Sequence, residues 1–343
     1  MIFLLAASLA AQESQFGVRS RLVLVPVNVT DARGRPVDSL EAADFLVSDN
    51  GRPQKVAIDT IGTGVAPVAL VIAVQAAGIS EPVLEKVRKI GGMIQPLVTG
   101  ERGCAAVAAF AESVSWLQDE CTKDPDAIAT AFERLRPGEH AEAHMLDAVD
   151  AAVVRLRRRQ NARRVLLLIS ESRDRGSATS LDAATESAQS AGVAIYAATY
   201  SAFKTAFTSK SPQSQQPRPA RPRRPNETIG TVNGAPPGPQ NPSAPPPEQQ
   251  VDILGGIREL SRLGKKNTAQ VLAQSTGGAT FSFNRQKTLE ETIGKFGEAL
   301  HTQYVLSFVP EPESSGFHKL EVRIARSGKY QVRARPGYWS TAD

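Results

Sequence analysis

Cysteine is nearly absent from this chain of 343 residues, which holds two, Cys104 and Cys121, alongside four histidines. No CxxC pair and no His/Cys cluster occurs, so nothing has the ligand spacing of a structural zinc site. Aromatic residues make up only 6%. None interleaves with Arg155, Arg157, Arg158, Arg159, Arg163 and Arg164, which excludes a base-stacking platform there. Those arginines read instead as cations near a helix C-terminus, where the macrodipole favours them. The net charge of +5 and pI of about 9.3 lean only weakly toward acidic partners, so no nucleic-acid partner is expected. No apolar run approaches the ~20 residues that span a bilayer, so no transmembrane segment is expected. Aspartate is missing from the whole interval between Asp59 and Asp119. No Gly-x-Gly-x-x-Gly or Walker-type loop follows a strand pattern, and Gly255-Gly256 falls inside a helical one.

What is present begins with MIFLLAASLAAQES, residues 1–14, an apolar run ending in small residues. It reads as a signal peptide cleaved after Ala10 or Ala11, the alternative being a short N-terminal strand. Export would place the protein in the periplasm, on the cell surface or outside the cell. Under export, Cys104 and Cys121, set about symmetrically around a turn, are expected to form a disulfide; two buried free thiols are the alternative.

Residues 15–62 alternate as strands do, over Arg21–Thr30 and Asp44–Ser48, with Asp49-Asn50-Gly51 as a hairpin turn and Lys55–Ile58 pairing back. From 65 to 200 strands and helices alternate. Val68–Val74 is an apolar run long enough for a fully buried strand, followed by a small-residue loop and a helix over 81–97. Cys104–Phe110 and Val114–Gln118 read as an antiparallel hairpin. Helices follow over Asp126–Leu135, Ala143–Arg158 and 179–191, with strands at Val165–Ile169 and Val193–Thr199. Residues 208–250 hold twelve of the 23 prolines and almost nothing apolar, a composition that favours a disordered or polyproline-like insertion acting as a spacer. Helical pattern resumes over 251–263, then Ala269–Gln274. A strand at Ala279–Phe283 and a helix at Thr288–His301 bring the α/β pattern to 302. Residues 303–343 return to alternation in three strands ending at Pro336-Gly337-Tyr338-Trp339. Neither terminal group alone makes a two-sheet core, so 303–343 is expected to pack with 15–62.

The fold class that emerges is α/β: a doubly wound, mostly parallel six-stranded domain inserted in a small β-sandwich-like domain made by both chain ends. A buried strand, a helix, an antiparallel hairpin and then alternating helices and strands resemble a von Willebrand factor type A domain. The whole chain resembles the VWFA-related domain proteins of acidobacteria. The matching stretches are LVLVPVNVTDARGRPVDSLEAADFLVSDNGRPQKV, RRVLLLISESRDRGS, LAQSTGGATFSF, QYVLSFVPEP and HKLEVRIARSGKYQVRARPGYW. They cover nearly all of the chain outside the Pro-rich insertion.

The resemblance implies a metal-ion-dependent adhesion site built from an Asp-x-Ser-x-Ser loop, a later Thr and a later Asp. Such a set suits Mg²⁺, which takes hard oxygen ligands in octahedral geometry. Placed on this chain, those positions fall at Ala73, Gln75, Ala77, Ala143 and Glu171. Only Glu171 keeps a carboxylate, so the expectation is a degenerate site with no cofactor.

Catalytic readings find little. His140 and His144 form a His-x₃-His pair beside Glu139 and Glu142, but at a loop–helix junction without a further ligand they read as solvent-exposed loop histidines. Glu171 and Asp174 lack a nucleophile or oxyanion site nearby, and Ser170 and Ser172 lack a histidine base. The expected role is a non-catalytic, exported interaction or adhesion-type module. Its rim would be Gln75, Ser80, Glu142, His144 and Glu171, and its partner an unidentified protein. The alternative is a scaffold component of a cell-envelope assembly, acting through its β domain and Pro-rich spacer.

Overall fold

The computed structural model describes residues 22–58, 66–201, 267–311 and 314–340. The expected signal peptide, the Pro-rich insertion and the helix over 251–263 lie outside the described residues.

The α/β unit is built on strand β5, Val68–Gln75, every residue of which is buried. A strand with no polar alternation must be covered on both faces, as central parallel strands are. It pairs in parallel with β6 (Cys104–Phe110) on one side and β8 (Arg163–Ser170) on the other. With β7 (Val114–Thr122), β9 (Val193–Thr199) and β10 (Thr280–Ser282) the sheet order is β10-β9-β8-β5-β6-β7, and only β7 runs antiparallel. Alternate residues of β5 feed two cores. Leu70, Ile72 and Val74 pack with α1 (Glu81–Val87), α2 (Pro125–Glu133) and α6 (Gln286–His301). Ala69, Val71 and Ala73 pack with α3 (Met145–Arg157), α4 (Leu181–Ser190) and α5 (Thr268–Thr276). Cys104 and Cys121 form the disulfide, tying the start of β6 to the end of β7 with Cα atoms 5.2 Å apart.

One expected helix, 81–97, is broken. It is α-helical only to Val87, becomes a 3₁₀ segment over Arg88–Met93 and then a π turn over Gln95–Thr99. Two sequence features account for it. Gly91 lies so close to α2 that an added Cβ would stand 2.8 Å from the Ala129 Cα, and Pro96 supplies no amide hydrogen to the helical ladder.

Both chain ends make the second domain, as expected. One sheet has the order β13-β1-β11-β4, the other β14-β12-β2-β3. Here β1 is Val23–Asp31, β2 Phe45–Asp49, β3 Arg52–Gln54, β4 Ala57–Ile58, β11 Tyr304–Phe308, β12 Gly316–Ile324, β13 Tyr330–Ala334 and β14 Gly337–Ser340. Val25, Val27, Phe45, Val47, Leu306 and Leu320 fill the space between the sheets. Two details correct the sequence reading. Arg52–Gln54 is the segment that pairs back on β2, whereas Ala57–Ile58 crosses to the other sheet beside β11. The chain end adds a fourth strand, β14, against β12.

A buried polar network joins the domains. Asn28 of β1 donates to the Ala299 carbonyl at 2.6 Å, and Gln303 donates to Asn28 and to the Tyr196 hydroxyl, both at 3.2 Å. Arg163 donates to Gln303 at 2.9 Å.

Candidate functional site

Strand order turns back at β5, with β6 and β7 on one side and β8, β9 and β10 on the other. Open α/β sheets place ligands at the carboxyl ends of strands flanking such a point. Four loops meet there: 76–80 after β5, 111–113 between β6 and β7, 136–144 before α3, and 171–180 after β8.

Alanine lines this mouth. Ala73, Ala77 and Ala143 are all buried. Ala73 sits within β5, opposite Ala108 and Leu168. The side chain that stands where the strand ends, on the same face, is Gln75. Its Oε1 accepts the Glu171 backbone N–H at 2.9 Å. Its Nε2 is buried and has no partner among the described residues.

Glu171, the one carboxylate among the five adhesion-site positions, is paired. Its Oε2 accepts from the Arg175 guanidinium at 3.0 Å, and its side chain is only 14% exposed. Ser80 is fully buried, and its Oγ accepts the Tyr200 hydroxyl at 2.8 Å. Burial pushes the Tyr200 phenol well above its ordinary value, so it donates as a neutral group. Of the five expected rim residues, Gln75 and Ser80 are therefore not on the rim. Each is buried, with its side-chain oxygen in an internal bond. Glu142, at 62% exposure, is on the surface, while His144 is mostly covered at 20%.

The loops are sewn together across the mouth. The Gly78 N–H donates to the His140 carbonyl at 2.7 Å, and the Gly138 N–H to the Ala76 carbonyl at 2.5 Å. A Cβ on Gly78 would crowd the Gly138 carbonyl oxygen at 3.0 Å, so glycine permits this approach. Ala143 and Arg175 exchange backbone bonds in both directions, at 3.1 and 3.0 Å. Asp174 accepts the Leu146 N–H at 3.1 Å, and Asp147 accepts those of Ala178 and Thr179 at 3.1 and 2.9 Å. Burial works to raise the Asp147 carboxyl, but the bonds from Thr179 and Ala178, with the His144 imidazole beside it, outweigh burial and hold it below its ordinary value.

The His-x₃-His pair is divided between different acids. His140 faces Glu112 at 3.7 Å, and His144 lies 3.5 Å from Asp147 and 3.9 Å from Glu142. Among the described residues no group of three or more His, Cys, Asp or Glu stands close enough to hold a metal ion. The unpartnered buried atom at the end of β5, Gln75 Nε2, is a hydrogen donor, whereas a cation requires lone pairs.

Reading motifs along the sequence misses a cluster in the β domain. Ser314 Oγ lies 3.1 Å from His318 Nε2, and His318 Nδ1 lies 2.9 Å from both Asp49 oxygens, a Ser–His–Asp order. The Tyr338 hydroxyl donates to Asp49 at 2.8 Å. His318 Nε2 also stands 3.0 Å from the Ser314 carbonyl oxygen. Nε2 thus faces two oxygens of Ser314, hydroxyl and carbonyl, and the direction of each bond follows the tautomer of the ring. His318 and Asp49 are 3% and 5% exposed, a buried pair joining β2, β12 and β14. They are 269 residues apart, and no local pattern marks either.

No protein-family model matches the chain, and no curated protein matches it in sequence. Among solved structures, an aerotolerance-related membrane protein from Bacteroides fragilis shares 15% identity at a TM-score of 0.42, over 67% of this chain and 98% of its own. Proximal thread matrix protein 1 from the mussel byssus, with a zinc-occupied adhesion-site motif, shares 12% at 0.42, over 73% of this chain and 48% of its own. The von Willebrand factor domain of the type V pili tip protein Mfa5 from Porphyromonas gingivalis shares 15% at 0.28, over 32% of this chain and 39% of its own. These scores are low. It is the strand order β10-β9-β8-β5-β6-β7, with helices packed on both faces, that gives the α/β unit the fold of a von Willebrand factor type A domain.

Proposed function

We propose that this protein is a non-catalytic, exported interaction module whose type A domain meets a protein partner without a bridging metal. The observation that carries this reading is Gln75 at the end of β5. Its Oε1 is bonded to the Glu171 N–H and its Nε2 is left as a donor. A buried donor at that point offers no lone pair to a cation, and a partner would meet the exposed loops around it. The exposed charges of the surrounding loops include Glu112, Glu139 and Glu142 together with Arg173 and Arg175. That arrangement favours polar recognition by charge pattern. The disulfide agrees with an oxidising compartment.

A second reading places the contact on the β domain, and one observation favours it. Phe317 and Trp339 are 36% and 40% exposed and lie edge to face at 5.6 Å on neighbouring strands. Affinity capture from the native cell with the full chain separates the two. Charge reversal at Glu142 and Arg175 together is expected to abolish capture of the partner. Capture that survives that reversal but is lost on deleting 208–250 or changing Phe317 and Trp339 would favour the scaffold reading.

A further inference from the structure

A crevice of about 230 Å³ lies between the two domains at the amino end of the parallel sheet, opposite the mouth. Strand starts Arg164, Val165 and Val193 line it from the α/β unit, and Leu24, Val305 and Arg335 from the β domain. Its lining among the described residues includes three arginines, counting Arg163, and no acidic side chain.

The three cations are not equivalent. Arg163 donates to the Leu300 carbonyl and to Gln303, and Arg164 to the carbonyls of Arg159 and Ala191. Arg335 is 7% exposed and makes one long hydrogen bond, to the Gln189 carbonyl at 3.5 Å. Its Nε is buried without a partner. Desolvation lowers its guanidinium to about 10, which leaves it charged at neutral pH. Beside it, Gln189 directs its Nε2 to the Ser275 carbonyl at 2.7 Å, which settles the amide's orientation and leaves Oε1 buried without a donor. A buried cation without an anion, next to a buried acceptor without a donor, is costly unless something supplies both.

We propose that this crevice binds a small carboxylate with an apolar body and a hydroxyl or amide N–H next to the carboxyl group. The carboxylate meets Arg335, the donor meets Gln189, and the body lies along Leu24, Val165, Val193 and Val305. One guanidinium, its neighbours Arg163 and Arg164 being engaged with backbone carbonyls, suits a monoanion better than a phosphate dianion, which would require several cations. The volume is below the ~300–1,000 Å³ of sites for drug-sized ligands, so the ligand has few carbon atoms.

Calorimetry on the full chain tests this with 2-hydroxyisocaproate and N-acetylleucine as probes and their primary amides as controls. The acids are expected to bind saturably and the amides roughly 10- to 100-fold more weakly, the value of a charge-assisted hydrogen bond. Gln189→Glu, which puts a carboxylate of the protein beside Arg335, is expected to abolish acid binding without lowering the melting temperature. Arg335→Met is expected to abolish it too. The proposal is overturned if neither acid binds at about 10 mM, if acids and amides bind alike, or if Gln189→Glu leaves acid binding unchanged. In those cases ordered water bridges Arg335 and Gln189. Each outcome leaves the reading of the opposite end of the sheet untouched.

Discussion

At the carboxyl end of the parallel sheet a neutral amide nitrogen, Gln75 Nε2, is buried without a partner; at the amino end a cationic one, Arg335 Nε, is, beside the unpartnered Gln189 Oε1. The first sits under loops sewn together by backbone bonds, with Glu171 and Ser80 already engaged. The second sits in a crevice between domains, among two further arginines and no acid. A doubly wound fold makes the carboxyl end the default ligand site. In this chain the larger electrostatic imbalance is at the other end. Fold topology says where a site can form, and the polar atoms left unsatisfied say where one has been kept.

The contrast can be broken at graded cost. The largest effect is expected from a region that serves as its reference, the fully bonded cluster of Asp49, His318 and Tyr338. Asp49→Asn should lower unfolding free energy by about 3–5 kcal/mol, because it strands a buried imidazole. A loss under ~1 kcal/mol by denaturant titration would show that the cluster is solvated. Next come the two ends themselves. Arg335→Met removes an uncompensated buried charge and should raise stability by about 1–4 kcal/mol. Gln75→Met removes an unpartnered donor but strands the Glu171 N–H, so its net change should stay within about 1 kcal/mol. Equal effects at the two positions would erase the distinction drawn between them. The smallest effect concerns pH at the mouth. The Asp147 carboxyl is held below its ordinary value of 3.8. Its contribution to stability is therefore complete above that value and is lost as pH falls through the lower, folded one. Asp147→Asn should flatten the fall in stability below pH 3.8 relative to the parent, and identical acid profiles would rule out that contribution.

Most of the architecture was legible because its signals are local. The apolar run at β5, the hairpin around residues 111–113 and the helical spacing of α3 each lie within one stretch of chain. What the sequence did not disclose depends on contacts made at long range. Helix 81–97 breaks partly because Gly91 meets Ala129. Ala57–Ile58 changes sheets because β11, nearly 250 residues later, offers it an edge. Whether Gln75 and Ser80 face solvent was decided by Glu171 and Tyr200, 96 and 120 residues away. The pairing of Arg335 with Gln189 across 146 residues had no sequence signature at all.

The proposal that the mouth of β5 works without a metal is tested by calorimetric titration of the full chain with Mg²⁺, Mn²⁺ and Ca²⁺. No saturable heat is expected for any of them, in the parent and in Glu171→Ala alike. A saturable site in the parent that disappears in Glu171→Ala would contradict it.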